Sequence, residues 1–386
     1  MKFIVTGGAG FIGHNVVRIL ESWGHECLVI DNFTDYGFIP REELYYLLTE
    51  RHKRIKSEIK DIDLLTYDLI KKQIKNCANF DAIIHLASFP RQKIVSQQPI
   101  QAANVMGTAL VNLIHSAKHS NISKFIYISS SMVYGNFINN VSEDYICNPI
   151  GQYGIMKYMG ECLIKDAARQ GYFDYTIIRP SAVYGENDVE DRVVSKFLLG
   201  AMRGQTLKVK GANEVLDFTH VDDTAMGIAL ASINPAAKNN TYNITKSDPK
   251  LYTLLDAAKL AIKIAGKGSI EIVDKDPEFP SRGRLSIERA VKEINYIPKI
   301  NIEQKQKALK VLASLDPNFF CLDEDPLVKI KSKFVSLSTR QKLELLEWWG
   351  LKPKSLKLLP NQAESYLANL PQDVLRTRLI AFCSPS

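Results

Sequence analysis

Short apolar runs alternate with helical patterns along the first half of the chain. With their flanking residues, these runs are KFIVT (2–6), ECLVIDN (26–32), FDAIIHLAS (80–88), KFIYISSS (124–131) and DYTIIRPSAVYG (174–185). Between them, residues 100–118 and 153–170 repeat hydrophobic side chains at helical spacing. Strands that are apolar throughout and alternate with helices are typical of a parallel sheet covered on both faces. The pattern therefore predicts an α/β fold with a doubly wound parallel sheet.

A glycine-rich turn follows the first predicted strand. In TGGAGFIG, Gly7, Gly10 and Gly13 stand between that strand and a helical pattern. Glycines at these positions allow a tight turn, close approach of a pyrophosphate and close packing of helix on strand. The amino terminus of the helix then faces the phosphates with its free N–H groups. The turn predicts a dinucleotide-binding site of the Rossmann type.

An acid at the end of the second strand refines this prediction. Asp31 lies 18 residues after Gly13, where a carboxylate accepts hydrogen bonds from both hydroxyl groups of an adenosine ribose. The next residues, Asn32 and Phe33, offer no cation for a 2′-phosphate. We therefore expect NAD rather than NADP as the cofactor.

The spacing of the elements changes in the second half of the chain. The predicted organisation is a Rossmann-type NAD-binding domain over 1–185 completed by parts of 215–245, a mainly substrate-binding lobe over 186–315 and a helical extension over 316–386. The extension is predicted from STRQKLELLEWWG, which opens with the capping-box pair Ser338 and Gln341.

Composition narrows the class of protein. The 386 residues include 49 basic and 42 acidic side chains, spread without the basic block that marks nucleic-acid binding. The six cysteines show no Cys-x-x-Cys spacing, which argues against a zinc site and for a reducing compartment. The start MKFIVTGG does not fit a signal peptide, and no apolar run approaches the ~18 residues of a membrane span. We expect a cytoplasmic protein without a metal, a nucleic-acid partner or a membrane anchor.

A tyrosine and a lysine four residues apart are candidates for acid–base chemistry. Tyr153 and Lys157 in YGIMK lie on one face of a helix, one turn apart. A lysine charge about 5 Å away, at an effective dielectric constant of ~20, favours the phenolate by roughly 3 kcal/mol, or about two pKa units. The same spacing recurs at Tyr67/Lys71 and Tyr242/Lys246, so spacing alone does not select the pair.

Three motifs in this order resemble those of a known family. The Gly-x-x-Gly-x-x-Gly turn, YISSSMVYG (127–135) and YGIMK (153–157) are similar to the extended short-chain dehydrogenase/reductase family, specifically its nucleotide-sugar epimerases and dehydratases of the UDP-glucose 4-epimerase type. The resemblance extends from residue 1 to about 315 and leaves the extension uncovered. It implies a nucleotide-sugar substrate and, for the assembly, a homodimer.

The resemblance also implies roles for individual residues. Tyr153 would be the catalytic base, Lys157 its partner and Ser130 the hydroxyl that orients the substrate. The implied cofactor-binding residues are Gly7, Gly10, Phe11, Ile12, Gly13, Asp31, Asn32, Asp61, Ile62, Leu86, Ala87, Asn104, Tyr153 and Lys157. The implied substrate-binding residues are Ser88, Arg91, Ser130, Ser131, Arg192 and Arg282, with Arg284 as an alternative to Arg282. Bound NAD⁺ and Lys157 would together lower the pKa of Tyr153 towards neutrality.

The residues after Ser130 favour one reaction over others. The family's 4,6-dehydratases carry acids at these positions, and its decarboxylases keep a glutamate at the second, because these reactions need a further proton-transfer group. Here the positions hold Ser131 and Met132, and a thioether cannot move a proton. A reductase would use NADPH, which Asp31 disfavours. We therefore favour an epimerase, acting at C4.

Two departures from the family pattern leave alternatives open. Ala182 stands where many relatives have an asparagine, and Leu216 where many have an arginine that holds the substrate diphosphate. A dehydratase or reductase, or a dehydrogenase of a sterol-like or other non-nucleotide alcohol, is therefore an alternative. A non-catalytic NAD-sensing regulator, with the helical extension as its docking module, is a further one.

Overall fold

The computed structural model describes residues 1–303, except 78, 139 and 278. The helical extension expected over 316–386 lies outside this range. The chain divides into two compact units, and residues 1–38 and 50–303 belong to the unit that is described below, whereas 39–49 belong to the other.

Strands and helices alternate along the described chain. The strands are β1 (Lys2–Thr6), β2 (Glu26–Asp31), β3 (Glu58–Asp61), β4 (Ala82–His85), β5 (Lys124–Ile128), β6 (Asp174–Pro180), β7 (Val183–Tyr184), β8 (Thr206–Lys210), β9 (Val215–Leu216), β10 (Thr219–His220), β11 (Asn240–Ile244), β12 (Tyr252–Thr253) and β13 (Ser269–Val273). The α-helices are α1 (Gly13–Ser22), α2 (Arg41–His52), α3 (Tyr67–Asn76), α4 (Gln92–Gln97), α5 (Pro99–Ala103), α6 (Ala109–Lys118), α7 (Gln152–Arg169), α8 (Val193–Met202), α9 (Val221–Ile233), α10 (Leu254–Ala265) and α11 (Glu288–Ile294).

The main sheet has seven parallel strands in the order β11-β6-β5-β4-β1-β2-β3. The order reverses between β1 and β4, which is the switch point where ligands bind at the carboxyl ends of the strands in such sheets. Asp31 and Asp61 are register partners at the ends of β2 and β3, so both lie at that edge. The predicted α/β fold with a doubly wound parallel sheet is confirmed.

Apolar side chains on both faces of the strands build two cores. On one face, Phe3 and Val5 of β1 pack with α1 and α9; on the other, Ile4 packs with α3 and α6. Because neighbouring residues of a strand point to opposite faces, a strand covered on both sides must be apolar throughout. This explains why the strand sequences show no polar alternation.

A smaller lobe, built from α8, α10 and the strand pairs β8–β13 and β9–β12, follows β6 in the chain. Helices α8 and α10 enclose a third core that includes Phe197, Val209 and Ala261. Strand β8 pairs with β13 in parallel, and β9 pairs with β12 in antiparallel orientation. Helix α10 begins with the capping box of Thr253 and Asp256, whose hydrogen bonds satisfy backbone N–H groups at the amino terminus of the helix.

The helical pattern over 100–118 is not one helix. It consists of α5, a π-helical turn at Asn104–Thr108 and α6. Single π-turns of this kind interrupt α-helices locally. None of the helices in the described part of the chain is long and apolar enough to cross a membrane.

Candidate active site

The glycine-rich turn has the geometry that its sequence predicts. Gly7 has φ +70°, and a side chain there would bring Cβ to 2.5 Å from the Ala87 nitrogen. A Cβ on Gly13 would lie 2.2 Å from the Gly7 carbonyl oxygen. Ile12, at the amino-terminal end of α1, provides no side-chain cap, while the N–H groups of His14 and Asn15 donate to the carbonyl oxygens of Gly10 and Ile12 at 3.1 and 3.2 Å. The turn fits a pyrophosphate.

Asp31 lies at the end of β2, beside the glycine turn. Its Oδ2 accepts a hydrogen bond from Ala9 N at 3.0 Å, and its Oδ1 accepts one from Phe33 N at 3.0 Å. Burial raises the pKa of this carboxyl, while the two backbone N–H groups lower it in part. Asn32 and Asp61 are exposed, and Ile62 is half-buried. The carboxylate is thus oriented by the backbone at the position expected for the ribose.

The end of α2 contributes residues that the sequence did not indicate. The His52 ring packs edge-on against Phe33, with the ring centroids 5.2 Å apart. Arg51 is buried and donates from Nε and Nη2 to the Asn187 carbonyl oxygen at 3.1 and 2.7 Å. Both residues lower the pKa of Asp31 through their positive charge. No motif marks them, because they approach Asp31 only in the folded structure.

The chain after β4 forms the next side of the cleft. Leu86 N and Ala87 N both donate to the Thr6 carbonyl oxygen, at 2.9 and 3.0 Å, which joins the ends of β4 and β1. Leu86, Ala87 and Ser88 are half-buried at this edge. Asn104 is exposed on the π-helical turn, and its cofactor role stays a prediction.

The structure brings Ser130, Tyr153 and Lys157 together. Ser130 follows β5, and Tyr153 makes a hydrogen bond with it. Lys157 Nζ donates to the Ile128 carbonyl oxygen at 2.8 Å and lies 5.9 Å from the centroid of the Tyr153 ring. The helix α7 therefore presents phenol and ammonium to the carboxyl end of β5.

Burial dominates the electrostatics of the pair. It raises the pKa of Tyr153, and the positive charges of Arg192 and Arg282, together with the Ser130 hydrogen bond, lower it in part. Burial also lowers the pKa of Lys157 to about 7, against the opposing charge of Glu161. The sequence suggested Lys157 and oxidised nicotinamide as the cations beside Tyr153; the fold adds the two arginines.

These two arginines reach the cleft from different elements. Arg282 has a buried Nε without a hydrogen-bond partner among the described residues, and burial lowers its pKa to about 10. Arg192, at the start of α8, has its Nε 3.4 Å from Asp188 Oδ1. Both can place positive charge near an anionic substrate that reaches Tyr153.

Arg91 is tied to the same region. Its Nη1 donates to the Asp191 carbonyl oxygen at 2.9 Å and lies 3.2 Å from Asp191 Oδ2. The neighbouring Gln92 accepts from Tyr153 N at 3.0 Å through its Oε1. The loop after β4 is therefore linked both to the segment before α8 and to the start of α7. Gln92 carries no sequence signal, because its partner is a backbone atom distant in the chain.

The residues after Ser130 point into the protein. Ser131 is fully buried, and its Oγ donates to Ser181 Oγ at 3.2 Å. Met132 is also buried and donates its N–H to Ser130 Oγ at 3.2 Å. Substrate binding by Ser131 stays a prediction.

The two departures from the family pattern have distinct surroundings. Ala182 has φ +37°, a conformation that asparagine tolerates better than other residues with a Cβ. Leu216 lies in β9 and packs against the core of the smaller lobe. Neither side chain offers a polar group to a ligand.

One group of two acids and a histidine has the spacing of possible metal ligands. Possible ligand atoms of Glu186, His220 and Asp222 lie within 4.8 Å of one another, in the part of the chain that the structure describes. However, His220 Nδ1 accepts from Asp222 N at 3.1 Å, and Nε2 faces Glu186 Oε2 at 3.2 Å. Both ring nitrogens thus have protein partners, and the expectation of no metal stays a prediction.

The parallel sheet has the glycine turn, Asp31 and the group of Ser130, Tyr153 and Lys157 at its carboxyl edge. This arrangement fits a dinucleotide-dependent enzyme of the short-chain dehydrogenase/reductase type. Residues 3–245 match the model of the NAD dependent epimerase/dehydratase family. The chain belongs to that family, which confirms the resemblance, and its cofactor is NAD.

Relatives with several activities are similar to this chain. It is 30% identical over 312 residues to a putative UDP-glucose 4-epimerase of Methanocaldococcus jannaschii, covering 78% of this chain and 94% of the relative. It is 27% identical over 317 residues to UDP-glucuronic acid decarboxylase 1 of Arabidopsis thaliana, covering 79% and 68%. The crystal structure of a UDP-glucuronic acid 4-epimerase from Bacillus cereus, in complex with UDP-glucuronic acid and NAD, has a TM-score of 0.73 at 24% identity, covering 82% and 100%.

Proposed function

We propose that the protein is an NAD-dependent nucleotide-sugar epimerase that acts at C4. Tyr153 removes the proton of the substrate hydroxyl, Ser130 orients that oxygen and Lys157 supplies positive charge beside the phenolate. NAD, held at the glycine turn and Asp31, would supply the acceptor and then the donor for the hydride of the sugar carbon. The ketosugar turns over in the cleft before the return, so that the hydride reaches its opposite face. Tyr153 then gives the proton back to the new hydroxyl.

One observation supports epimerisation over the other reactions of the family. Met132 occupies the position where dehydratases and decarboxylases of the family carry an acid, and it is buried in the turn after Ser130. Elimination needs a group that transfers a proton at a neighbouring carbon, and a thioether cannot do so. Return of the hydride to the opposite face needs no such group.

The proposed substrate carries a diphosphate that the smaller lobe and its arginines bind. Arg282 supports this proposal, since its buried Nε has no partner among the described residues and a phosphate oxygen would provide one. Arg192 and Arg91 lie on the same side of the cleft and form the remaining candidates for anion contacts. In this proposal residues 186–315 form the substrate-binding lobe and residues 1–185 most of the NAD domain.

A second candidate function is oxidation of a non-nucleotide alcohol. The apolar side chains of Ala182 and Leu216 favour it, because many nucleotide-sugar enzymes of the family have polar residues at both positions. The two candidates differ in the fate of the hydride: an epimerase releases no net NADH, whereas an alcohol dehydrogenase releases it continuously.

The experiment incubates UDP-, GDP- and dTDP-sugars with the enzyme in heavy water and analyses the products by mass spectrometry and NMR. The epimerase proposal predicts an isomer of unchanged mass without carbon-bound deuterium. Loss of a water mass with deuterium incorporation would show a dehydratase, and loss of carbon dioxide a decarboxylase. Steady NADH release would show a dehydrogenase, and NAD binding without turnover of any sugar or alcohol tested would favour the regulator.

We also propose a homodimer formed through α5, α6 and α7. The exposed apolar side chains on these helices support it: Ile100 is 78% exposed, Val111 38% and Ile155 53%. Burying them against a second copy would remove apolar surface from water. Light scattering should give twice the chain mass for the wild type and less for Ile155→Glu.

A cytoplasmic location is proposed on the free cysteines found in the described chain.

A further inference from the structure

Three consecutive residues at the end of β5 contact three successive turns of α7. The contacts are Ser130 with Tyr153, the Ile128 carbonyl oxygen with Lys157 Nζ at 2.8 Å, and Ser129 Oγ donating to Glu161 Oε1 at 2.5 Å. Tyr153, Lys157 and Glu161 follow one another at intervals of four and therefore share one face of the helix. The first two form the proposed catalytic pair, whereas Glu161 is further from the cleft.

Glu161 is held more firmly than its two neighbours on this face. Its side chain has no exposed surface, and Arg179 of β6 donates to both of its carboxylate oxygens, from Nε at 2.9 Å and from Nη2 at 2.6 Å. Arg179 Nη1 in turn donates to Tyr134 Oη and to the Glu143 carbonyl oxygen. A bidentate, fully buried ion pair of this kind fixes the orientation of the carboxylate as well as its distance from the guanidinium group.

We propose that Glu161 is a positioning residue for the catalytic pair. Held by Ser129 and Arg179, it fixes α7 against the end of β5, and its carboxylate faces the Lys157 ammonium from the next helical turn. The inference rests on the roles proposed above for Tyr153 and Lys157. It assigns a task to a buried ion pair that the reaction itself does not use.

The charge of the Glu161 carboxylate gives its positioning role a measurable effect on Lys157. Burial lowers the pKa of Lys157 to about 7, and the Glu161 carboxylate is the charge that opposes this shift. Two other titratable groups face Lys157: Tyr127 of β5, whose ring centroid lies 5.5 Å from Nζ, and His85 of β4. Burial raises the pKa of Tyr127 well above its usual value and lowers that of His85 to about 3. Neither changes charge between pH 5 and 9, whereas Lys157 does.

The sign of the effect follows from these charges. Without the Glu161 carboxylate, the pKa of Lys157 falls further, and the lysine loses its proton at a lower pH. A neutral lysine no longer favours the Tyr153 phenolate, so the pKa of Tyr153 rises. The pH range in which a charged lysine accompanies a phenolate therefore becomes narrower, mainly from its alkaline side.

The experiment measures kcat/KM of the holoenzyme from pH 6 to 9.5. In Glu161→Gln we expect the alkaline limb to move to lower pH by about one unit, so that the loss is roughly threefold greater at pH 9 than at pH 6.5. Ser129→Ala keeps the charge and removes one anchor, so its loss should be the same at every pH. Asp166→Asn, which removes a half-exposed carboxylate of the same helix, should leave the profile unchanged.

A second measurement does not need a substrate. The ultraviolet difference between the NAD-loaded protein and its Tyr153→Phe variant titrates Tyr153 alone, and Glu161→Gln should raise the pKa obtained. If Glu161→Gln does not fold, the double variant with Arg179→Met removes both buried charges and tests the same shift. An equal loss at every pH with an unchanged Tyr153 titration would overturn the proposal. A shifted titration in a protein that turns over no sugar would overturn the epimerase and leave the role of Glu161 standing.

Discussion

The proposed cofactor half and the proposed substrate half of the cleft are built in different ways. Gly7, Gly13 and Asp31 come from one β-α-β segment, and they act through backbone conformation and one oriented carboxylate. Arg192 and Arg282 come from separate elements that only the smaller lobe brings near Tyr153. The proposed cofactor half needs particular residues at particular spacings along the chain. The proposed substrate half needs only positively charged side chains that reach the space beside Tyr153.

This difference explains how one family can keep a cofactor and vary its substrates. A substitution at Gly7 or Gly13 would bring Cβ to 2.5 or 2.2 Å from a backbone atom, so few changes are tolerated there. Ala182, just before β7, and Leu216, in β9, depart from the pattern that the family resemblance implies, and both strands still form. We therefore expect the proposed substrate half to tolerate substitutions without loss of the NAD site.

The largest effect is expected for Tyr153, where the proposed cofactor and substrate halves of the cleft meet. Its substitution should affect turnover without affecting NAD binding. Tyr153→Phe should lower kcat by about 10²–10⁴-fold, because the phenol is needed for proton transfer. It should leave the affinity for NAD near that of the wild type. Steady-state kinetics and calorimetry measure the two quantities. Activity retained in this variant would show that another group is the base.

Substitution of Arg282 tests the proposed substrate half and leaves the cofactor half unchanged. Arg282→Gln should raise the KM of a nucleotide sugar by roughly 10–100-fold, the value of a charge-assisted hydrogen bond to a phosphate. The affinity for NAD should not change. Arg284→Gln is the matched control, since Arg284 Nε donates to Asn140 Oδ1 at 2.9 Å. Equal effects of both variants would contradict the assignment of Arg282.

Substitution of Asp31 tests the cofactor half alone. Asp31→Ala should weaken NAD binding by roughly tenfold, because two ribose hydroxyl groups lose their acceptor. Adding Asn32→Arg should then favour NADP, since the cation pairs with the 2′-phosphate. Calorimetric titration with both dinucleotides measures this preference, and Asp35→Asn serves as the control in the same loop. Similar affinities of the wild type for NAD and NADP would argue against this role of Asp31.

The smallest expected effect concerns the conformation of Ala182. Because φ is +37° there, Ala182→Asn should raise the free energy of unfolding by about 0.5–1 kcal/mol, and the β-branched Ala182→Val should lower it. Urea denaturation measures both changes. If the asparagine variant is no more stable than the valine variant, the strain at this position does not contribute to stability.

Local sequence was sufficient for much of the fold. The sheet and the glycine turn with Asp31 depend on short motifs in and after the strands, whereas the roles of Ser130 and Tyr153 were implied by the family resemblance and stay predictions. The helix over 100–118 was predicted as one element, and the structure divides it at Asn104–Thr108. Hydrophobic spacing does not distinguish a single π-helical turn from an α-helical one. The π-helical turn adds only one residue to the helix, and the segments on either side keep the spacing of an α-helix.

By itself, the sequence determined the class of fold and the cofactor, since both depend on backbone geometry within strand–turn–helix segments, whereas the residues of the proposed catalytic group followed from the resemblance to a family. Only the tertiary structure decided which charges surround that group. Arg51 near Asp31, Arg192 and Arg282 near Tyr153, and the Arg179–Glu161 pair behind Lys157 all join residues from separate elements. Electrostatic interactions depend on distance in space and on burial, and neither quantity is contained in the spacing of residues along the chain.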